Sequence, residues 1–333
     1  MTNMISVVLA GGQGVRLWPE STAQRPKQLC DFMGRGSLLA MTLKRLQSLG
    51  SLVVVCGDEQ KASIEAAAKE LRARVLTEPM GRNTAPAVGL TLAEGRYNGE
   101  EVLGFFPADH YIQDDEKFRQ AIRWAEKLAR EQYLVTIGIV PTYAQTGYGY
   151  IERIEGSNNH LVKAFHEKPS IEDAIKYVES GRYLWNAGIF VASVNTWLQL
   201  MQEYMPELYL NIKKGTKAYR ENYPRYSNIS IDYGIAEKCS KMAVVEGDFG
   251  WSDVGSWDSL AAVLDHDDNG NVLLGTSRAI DTSNCLAKSC GKNVVLFGIQ
   301  NLVVVETEDT IMVCPRERSQ DIKGLVDVLK LSQ

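Results

Sequence analysis

The sequence contains no apolar run long enough to cross a membrane as a helix, which takes about 20 consecutive apolar residues. The stretch nearest the start, Met4 to Ala10, is short and has no basic residue before it. It runs straight into Gly11-Gly12, so it reads as a strand and not as a secretory leader. Cysteine is sparse, six in 333 residues, and no pair has Cys-x-x-Cys spacing. That excludes the common dithiol and zinc-ribbon patterns. Cys30, Cys56, Cys239, Cys285, Cys290 and Cys314 suit reduced thiols in a reducing compartment, hence a cytoplasmic location. The alternative is that Cys285 and Cys290 face each other across a turn. Histidine is rarer still: His110, His160, His166 and His266 show no metal-ligand spacing. No Ser-His-Asp or Cys-His constellation is evident either. Positive charge is not in excess, and the net charge of −5 argues against general nucleic-acid binding. A local cluster of Arg, Lys and backbone N–H groups can still bind phosphate on such a surface. There is no internal repeat and no low-complexity segment.

What is present is an alternation of short apolar runs with helical patterns. Strands are predicted at Ile5–Ala10, Leu52–Cys56, Arg74–Leu76, Val102–Phe106 and Leu134–Val140. Between them, helices are predicted from Leu38 to Leu49, closed by Gly50, over the Ala-rich segment after Asp58 as cap, over Ala85–Tyr97 and over Phe118–Ala129. This order implies an α/β fold, with a mostly parallel sheet covered by helices on both faces and ligands outside the carboxyl ends of the strands. After Val140 the pattern changes. Tyr148–Ile154 and Leu161–Phe165 read as antiparallel strands. Ile171–Ser180, Val194–Tyr204 and Ile231–Lys238 read as helices. Beyond Leu264 come short strands, Val272–Leu274, Val294–Phe297, Leu302–Val305 and Ile311–Val313, separated by Gly and Asn turns, and then a terminal helix over Ser319–Leu331. The expected division is a catalytic domain over residues 1–262 and a small C-terminal β-rich domain over 263–333.

The most informative segment is Leu9-Ala10-Gly11-Gly12-Gln13-Gly14-Val15-Arg16-Leu17-Trp18-Pro19, with Pro26-Lys27-Gln28 close behind. It follows the first strand. Its glycines let the backbone present N–H groups to phosphate oxygens at close range. Arg16 offers a planar fork of donors and Lys27 a point charge. It is not the dinucleotide fingerprint, because the third glycine position holds Leu17, and it lacks the Gly-Lys-Ser/Thr of a Walker loop.

This segment resembles the N-terminal signature of the sugar-nucleotide pyrophosphorylases, most of all those that transfer a guanylyl group to mannose 1-phosphate. The likeness continues, in the family's order, through EPMGRNTAPA (Glu78–Ala87), FPADH (Phe106–His110), GYGYIE (Gly147–Glu152), FHEKP (Phe165–Pro169), WNAGIF (Trp185–Phe190), IDYGIAE (Ile231–Glu237) and WSDVGSW (Trp251–Trp257). It implies a Rossmann-like nucleotidyltransferase domain followed by a small β-rich domain. It implies GTP and mannose 1-phosphate as substrates and Mg²⁺ as cofactor, a hard cation held by one or two carboxylates plus substrate oxygens. By the same resemblance Arg16, Lys27, Asp109 and Asp253 are the catalytic set, and Asp109 and Asp253 share the metal. Spacing alone does not pair them. In isolation Asp109 reads as a turn former or helix cap and Asp253 as an Asx-turn.

Leu9, Ala10, Gly11, Gly12 and Gly14 are expected at the nucleotide, together with Glu78, Arg82, Asn83 and Thr84. Glu78 is the candidate acceptor for a guanine ring N–H and amine. Asn83 or Thr84 would also serve simply as a helix cap, with Pro86 in the first turn. On the sugar-phosphate side stand Gly149, Glu167, Lys168, Asn186 and Asp232. The bland alternatives there are a surface ion pair for Glu167 with Lys168 and a cap for Asp232. His166, next to Glu167 in a strand, should point the other way by alternation and is given no catalytic role. The acceptor phosphate is already ionised near neutral pH, so the transfer needs no general base. Rival readings are another sugar 1-phosphate, such as a heptose, another nucleotide, or a silent nucleotide-sugar binder. Longer relatives carry an isomerase domain after the transferase, and only transfer is expected here. The apolar strands from Val294 to Val313 fit either a homodimer or packing within one chain. Neither nucleic acid nor membrane is an expected partner.

Overall fold

The computed structural model describes residues 4–12, 14–154 and 161–331. Gln13 of the glycine segment and His160 lie outside the described residues. The chain packs as two compact units. The first comprises Met1–Gly11, Thr42–Ala108 and Asp114–Trp251; the second comprises Gly12–Met41, Asp109–Gln113 and Ser252–Gln333.

The first unit is built on a nine-stranded mixed sheet. Its main path runs Met242–Gly247, Leu134–Ile139, Tyr183–Ser193, Val102–Pro107, Met4–Leu9, Gly50–Gly57 and Arg74–Glu78. The last four are parallel neighbours. Tyr183–Ser193 runs against both of its neighbours on this path and against Gly149–Arg153, which pairs antiparallel with Val162–Glu167. The predominantly apolar strands are buried nearly throughout, as expected where helices cover both faces. The helix Asp115–Arg130 shows the opposite pattern. It buries a stripe of Phe118, Ile122, Ala125, Leu128 and Ala129, and Asp114 caps it by accepting from Glu116 N and Lys117 N. Thr84–Ala93 is a helix buried almost all round, with no charged residue in it.

Several local expectations are corrected. The helix from Leu38 is α-helical only to Leu46; its last turn, Gln47–Leu49, is 3₁₀, and Gly50 closes that turn and opens the next strand. Asp58 does not cap Lys61–Ala68, because another 3₁₀ turn separates them and Arg220 takes the Asp58 carboxylate at 3.3 Å. The helix expected to reach Tyr97 stops at Ala93. The segment from Ile231 forms a π-helical turn, Asp232–Ala236, and the terminal α-helix is confined to Ile322–Leu331 after a 3₁₀ turn.

In the second unit, Val272–Leu274, Leu286–Lys288 and Leu302–Glu306 are successive parallel neighbours, and Ile311–Pro315 closes the sheet antiparallel. Between them in sequence, Ser277–Ile280 and Val294–Phe297 form a separate parallel pair. The chain therefore alternates between two small sheets, coil after coil. Buried Asn271 ties neighbouring turns by donating to Thr282 O (2.9 Å) and accepting from Cys285 N (3.0 Å). All six cysteines are free, Cys285 and Cys290 included. No helix among the described residues is long and apolar enough to cross a membrane.

Trp197 anchors the first unit's core. It is fully buried, stands edge-on to Phe105 at 5.1 Å, and its indole N–H donates to Leu103 O at 3.2 Å. Trp197→Ala removes that volume together with the indole's hydrogen bond to Leu103 O. We expect a loss of about 3–5 kcal/mol in chemical denaturation. A loss under about 1 kcal/mol would contradict this account of the core.

Candidate active site

In the second unit a buried lysine gathers the loop residues. Lys27 is 6% exposed in a 3₁₀ turn, Lys27–Leu29. Its ammonium donates to Asp109 Oδ2 at 2.9 Å and to the backbone oxygen of Asp253 at 2.5 Å. Burial alone would raise the Asp109 carboxyl, but the Lys27 ammonium, with His110, holds it below the ordinary carboxylate range. Asp253 itself accepts from Gly255 N at 3.1 Å, the Asx geometry expected of such a turn. Gly14 has φ +54°, and a Cβ there would stand 2.5 Å from the Cβ of Lys27, so both the backbone and the space demand glycine. Arg16 lies exposed in the short turn Val15–Leu17, while Leu17 is buried in the unit's core.

The first unit carries the remaining candidates in two groups. Glu78 ends the strand Arg74–Glu78 and is 5% exposed. Its Oε2 accepts from the Tyr223 hydroxyl at 2.5 Å, and its Oε1 lies 2.7 Å from where a Cβ on Gly11 would be. Burial pushes the Glu78 carboxyl up, and the Tyr223 hydroxyl opposes this only in part. Leu9 O accepts from Ala108 N, and Ala10 N donates to Val55 O, so the loop leaves a fully bonded sheet. Asn83 is the cap of Thr84–Ala93, accepting from Thr84 N at 2.9 Å with a positive φ of 65°. The Thr84 hydroxyl accepts from Ile231 N at 2.8 Å, and Arg82 donates to Pro224 O at 2.6 Å. These three residues thus have structural partners of their own.

The second group centres on Glu167. Its carboxylate is 6% exposed and takes the Lys168 ammonium at 2.5 Å; Lys168 is half-exposed with φ +48°. A Cβ on Gly149 would stand 2.6 Å from Glu167 Oε2, which explains glycine at the start of that strand. Burial, then the charges of Asp232 and Glu237, raise Glu167. For Lys168 burial works downward, but the bond it donates to Glu167 and the negative charges of Glu167 and Asp232 together raise the ammonium. Asn186 Nδ2 donates to Asp232 Oδ1 at 2.9 Å, while its Oδ1 accepts from Thr136 Oγ1 and Gly188 N. The register shift between Thr136 and Gly138 falls where the strand Leu134–Ile139 pairs with this segment. Glu167–Lys168 and Asn186–Asp232 thus form two bonded pairs with a shared electrostatic field. His166 stacks on Tyr177, with ring centroids 5.3 Å apart, away from any such role.

Sequence reasoning missed Tyr223, Thr136 and Glu237, which orient Glu78, Asn186 and the Glu167 backbone N–H respectively. None lies in a segment whose pattern signals chemistry, apart from Glu237 at the end of IDYGIAE.

Residues 5–270 match the nucleotidyl transferase family, and residues 275–329 match the MannoseP isomerase/GMP-like beta-helix domain. The chain is 37% identical to mannose-1-phosphate guanylyltransferase RfbM of Salmonella typhimurium over 98% of its own length and 73% of that protein's. It is 34% identical to the xanthan biosynthesis protein XanB of Xanthomonas campestris, over 99% and 74%. A crystal structure from Thermus thermophilus, described as a mannose-1-phosphate geranyltransferase, superposes with a TM-score of 0.90 at 34% identity, covering 99% of this chain and all of that one. The chain belongs to the nucleotidyl transferase family, among the mannose-1-phosphate guanylyltransferases. It is an enzyme of nucleotidyl transfer.

Nucleotidyl transferases use a divalent metal, and the donor set here bears on how one is held. Among the described residues no group of three His, Cys, Asp or Glu side chains is placed to hold a metal ion. Asp109 meets Lys27 through its carboxylate and Asp253 through its backbone oxygen, and two aspartates do not make a protein-only cage. They fit a cation that takes its other ligands from substrate phosphates and water.

Glu78 yields a pH-dependent prediction. Its folded-state proton affinity is raised, so its contribution to stability is fully present below the ordinary glutamate range and is lost as pH rises through the raised value. Glu78→Gln removes that loss. The variant should melt at a higher temperature than the parent at about pH 8, with the difference vanishing near pH 4. A variant less stable than the parent at the higher pH would refute it.

Proposed function

We propose that this chain transfers the guanylyl group of GTP to α-D-mannose 1-phosphate, releasing pyrophosphate and forming GDP-mannose. The observation that carries the reading is the nearly full-length match to proteins bearing that activity. The Lys27–Asp109–Asp253 arrangement supports it from the side of chemistry.

In the reaction a phosphate oxygen of the sugar phosphate attacks the α-phosphorus of GTP. The bond from that phosphorus to the bridging oxygen breaks, and pyrophosphate departs in line. Lys27 and Arg16 hold triphosphate oxygens, Lys168 the acceptor phosphate, and Glu167 and Asn186 the sugar hydroxyls. Glu78 accepts from the guanine edge, within a nucleotide site that includes Leu9, Ala10, Gly11, Gly12, Gly14, Arg82, Asn83 and Thr84. Gly149 gives the pyranose room, and Asp232 orients Asn186. Asp109 and Asp253 would hold Mg²⁺, which supplies charge neutralisation for the triphosphate when bound. Catalysis then rests on positioning and electrostatics, with no proton to remove from the nucleophile.

Residues 1–262 serve as the catalytic domain and 263–333 as the β-rich domain in this reading. Six free thiols support a cytoplasmic setting. The exposure of Val295, Phe297, Ile311 and Val313 supports a homodimer through the C-terminal strands.

Pyrophosphate release measured with Mg²⁺, mannose 1-phosphate and each of several nucleoside triphosphates tests the reading. Release with GTP is the expected result; release only with another nucleotide, or none, would overturn it. Lys27→Met and Asp109→Asn should each lower kcat on the order of 100-fold or more while circular dichroism stays that of the parent. A folded Asp109→Asn variant with a near-normal rate would remove Asp109 from the metal site.

A further inference from the structure

We infer that the β-rich region holds the phosphate loop in place through Lys288, which acts as a positioning residue for the nucleotide. The inference rests on the reading of Gly12, Gly14, Arg16 and Lys27 as that loop.

Lys288 ends the strand Leu286–Lys288 in the coiled part of the second unit. Its ammonium meets Glu20 Oε2 at 3.0 Å, and the two side chains are only 11% and 6% exposed. Glu20 lies four residues after Arg16 and seven before Lys27. A pair so buried loses much of its Coulomb attraction to desolvation, and packed apolar side chains would give comparable stability. What the pair adds over an apolar contact is a fixed position for the segment that carries Glu20.

Other contacts hold the same segment. Trp257 Nε1 donates to Trp18 O at 3.0 Å. Leu17 shares a core with Val272, Leu286, Val303 and Ile322. Next to Glu20, the Ser21 hydroxyl donates to Gly14 O at 2.6 Å. Gly14 in turn packs directly on Lys27. A continuous line of contacts therefore runs from Lys288 through Glu20, Ser21 and Gly14 to the lysine that binds Asp109. Arg25, 3.8 Å from Glu20 Oε1 and largely exposed, is a weaker second partner for the carboxylate. Without the Lys288 charge, Glu20 is buried beside an apolar side chain, and its way out of that cost is to move toward water, taking the loop with it.

The test uses the full-length protein as the parent and as Lys288→Met and Lys288→Arg. In Lys288→Met the KM for GTP should rise roughly tenfold, as for a displaced binding loop, while the KM for mannose 1-phosphate stays within about twofold. Lys288→Arg should restore the GTP value. Without substrates, amide hydrogen exchange over residues 12–21 should quicken in Lys288→Met and return to the parent rate in Lys288→Arg. A folded Lys288→Met with parental KM and exchange would overturn the inference. So would a rise of both KM values accompanied by faster exchange along the whole chain, which is the mark of general destabilisation. If Lys288→Met fails to fold, Glu20→Gln removes the opposite charge and should raise the KM for GTP in the same selective way. A parent inactive with GTP would count against the proposed function alone, because exchange over residues 12–21 decides the positioning by itself.

Discussion

The ammonium of Lys27 is bound on two sides at once, by the Asp109 carboxylate and by the backbone of Asp253. These partners are 82 and 226 residues away along the chain, and one buried cation fixes both to the segment that begins at the glycine loop. A buried ammonium without acceptors would be costly, so wherever this unit folds, the three segments must meet. The same geometry holds the Asp109 carboxyl below the ordinary carboxylate range against the effect of burial. Gly14 follows from it, since the lysine stem fills the space that any side chain there would need.

The first unit shows a complementary arrangement. Two of its candidate carboxylates stand at strand ends, Glu78 in the parallel part of the sheet, where ligands are commonly met, and Glu167 in the antiparallel part, while Asn186 lies within a strand. Glu78 terminates one strand and Glu167 another. Both carboxyls are buried and raised, and each is bound by a single hydroxyl or ammonium of the protein. Such groups oppose stability in the free protein and are offset when a ligand supplies donors, the usual tension between function and folding. Asn186 differs: both ends of its amide are bonded, so it is oriented before any ligand arrives.

Much of this was legible in the sequence because it is local. Runs such as Val7-Val8 and Val53-Val54-Val55 are strands in any context that buries both faces, and Asp114 is a good cap wherever a helix follows. The ordered motifs located the glycine loop and the charged residues around it. What stayed hidden depends on distant partners. The strand Tyr183–Ser193 is disguised by Asn186, Ala187 and Gly188, whose turn-like character serves the register shift instead of ending the strand. Asp58 reads as a cap until Arg220 claims it. Tyr223 and Lys288 sit in unremarkable surroundings, and only the folded chain pairs them with Glu78 and Glu20.

The central claim is that the bond made joins the α-phosphorus of GTP to the sugar phosphate. Incubation with Mg²⁺, mannose 1-phosphate and GTP labelled at the α-phosphorus tests it most directly. The account predicts that the label moves into GDP-mannose and that the pyrophosphate released is unlabelled. Label retained in GTP, or found in free GMP without sugar nucleotide, would contradict it.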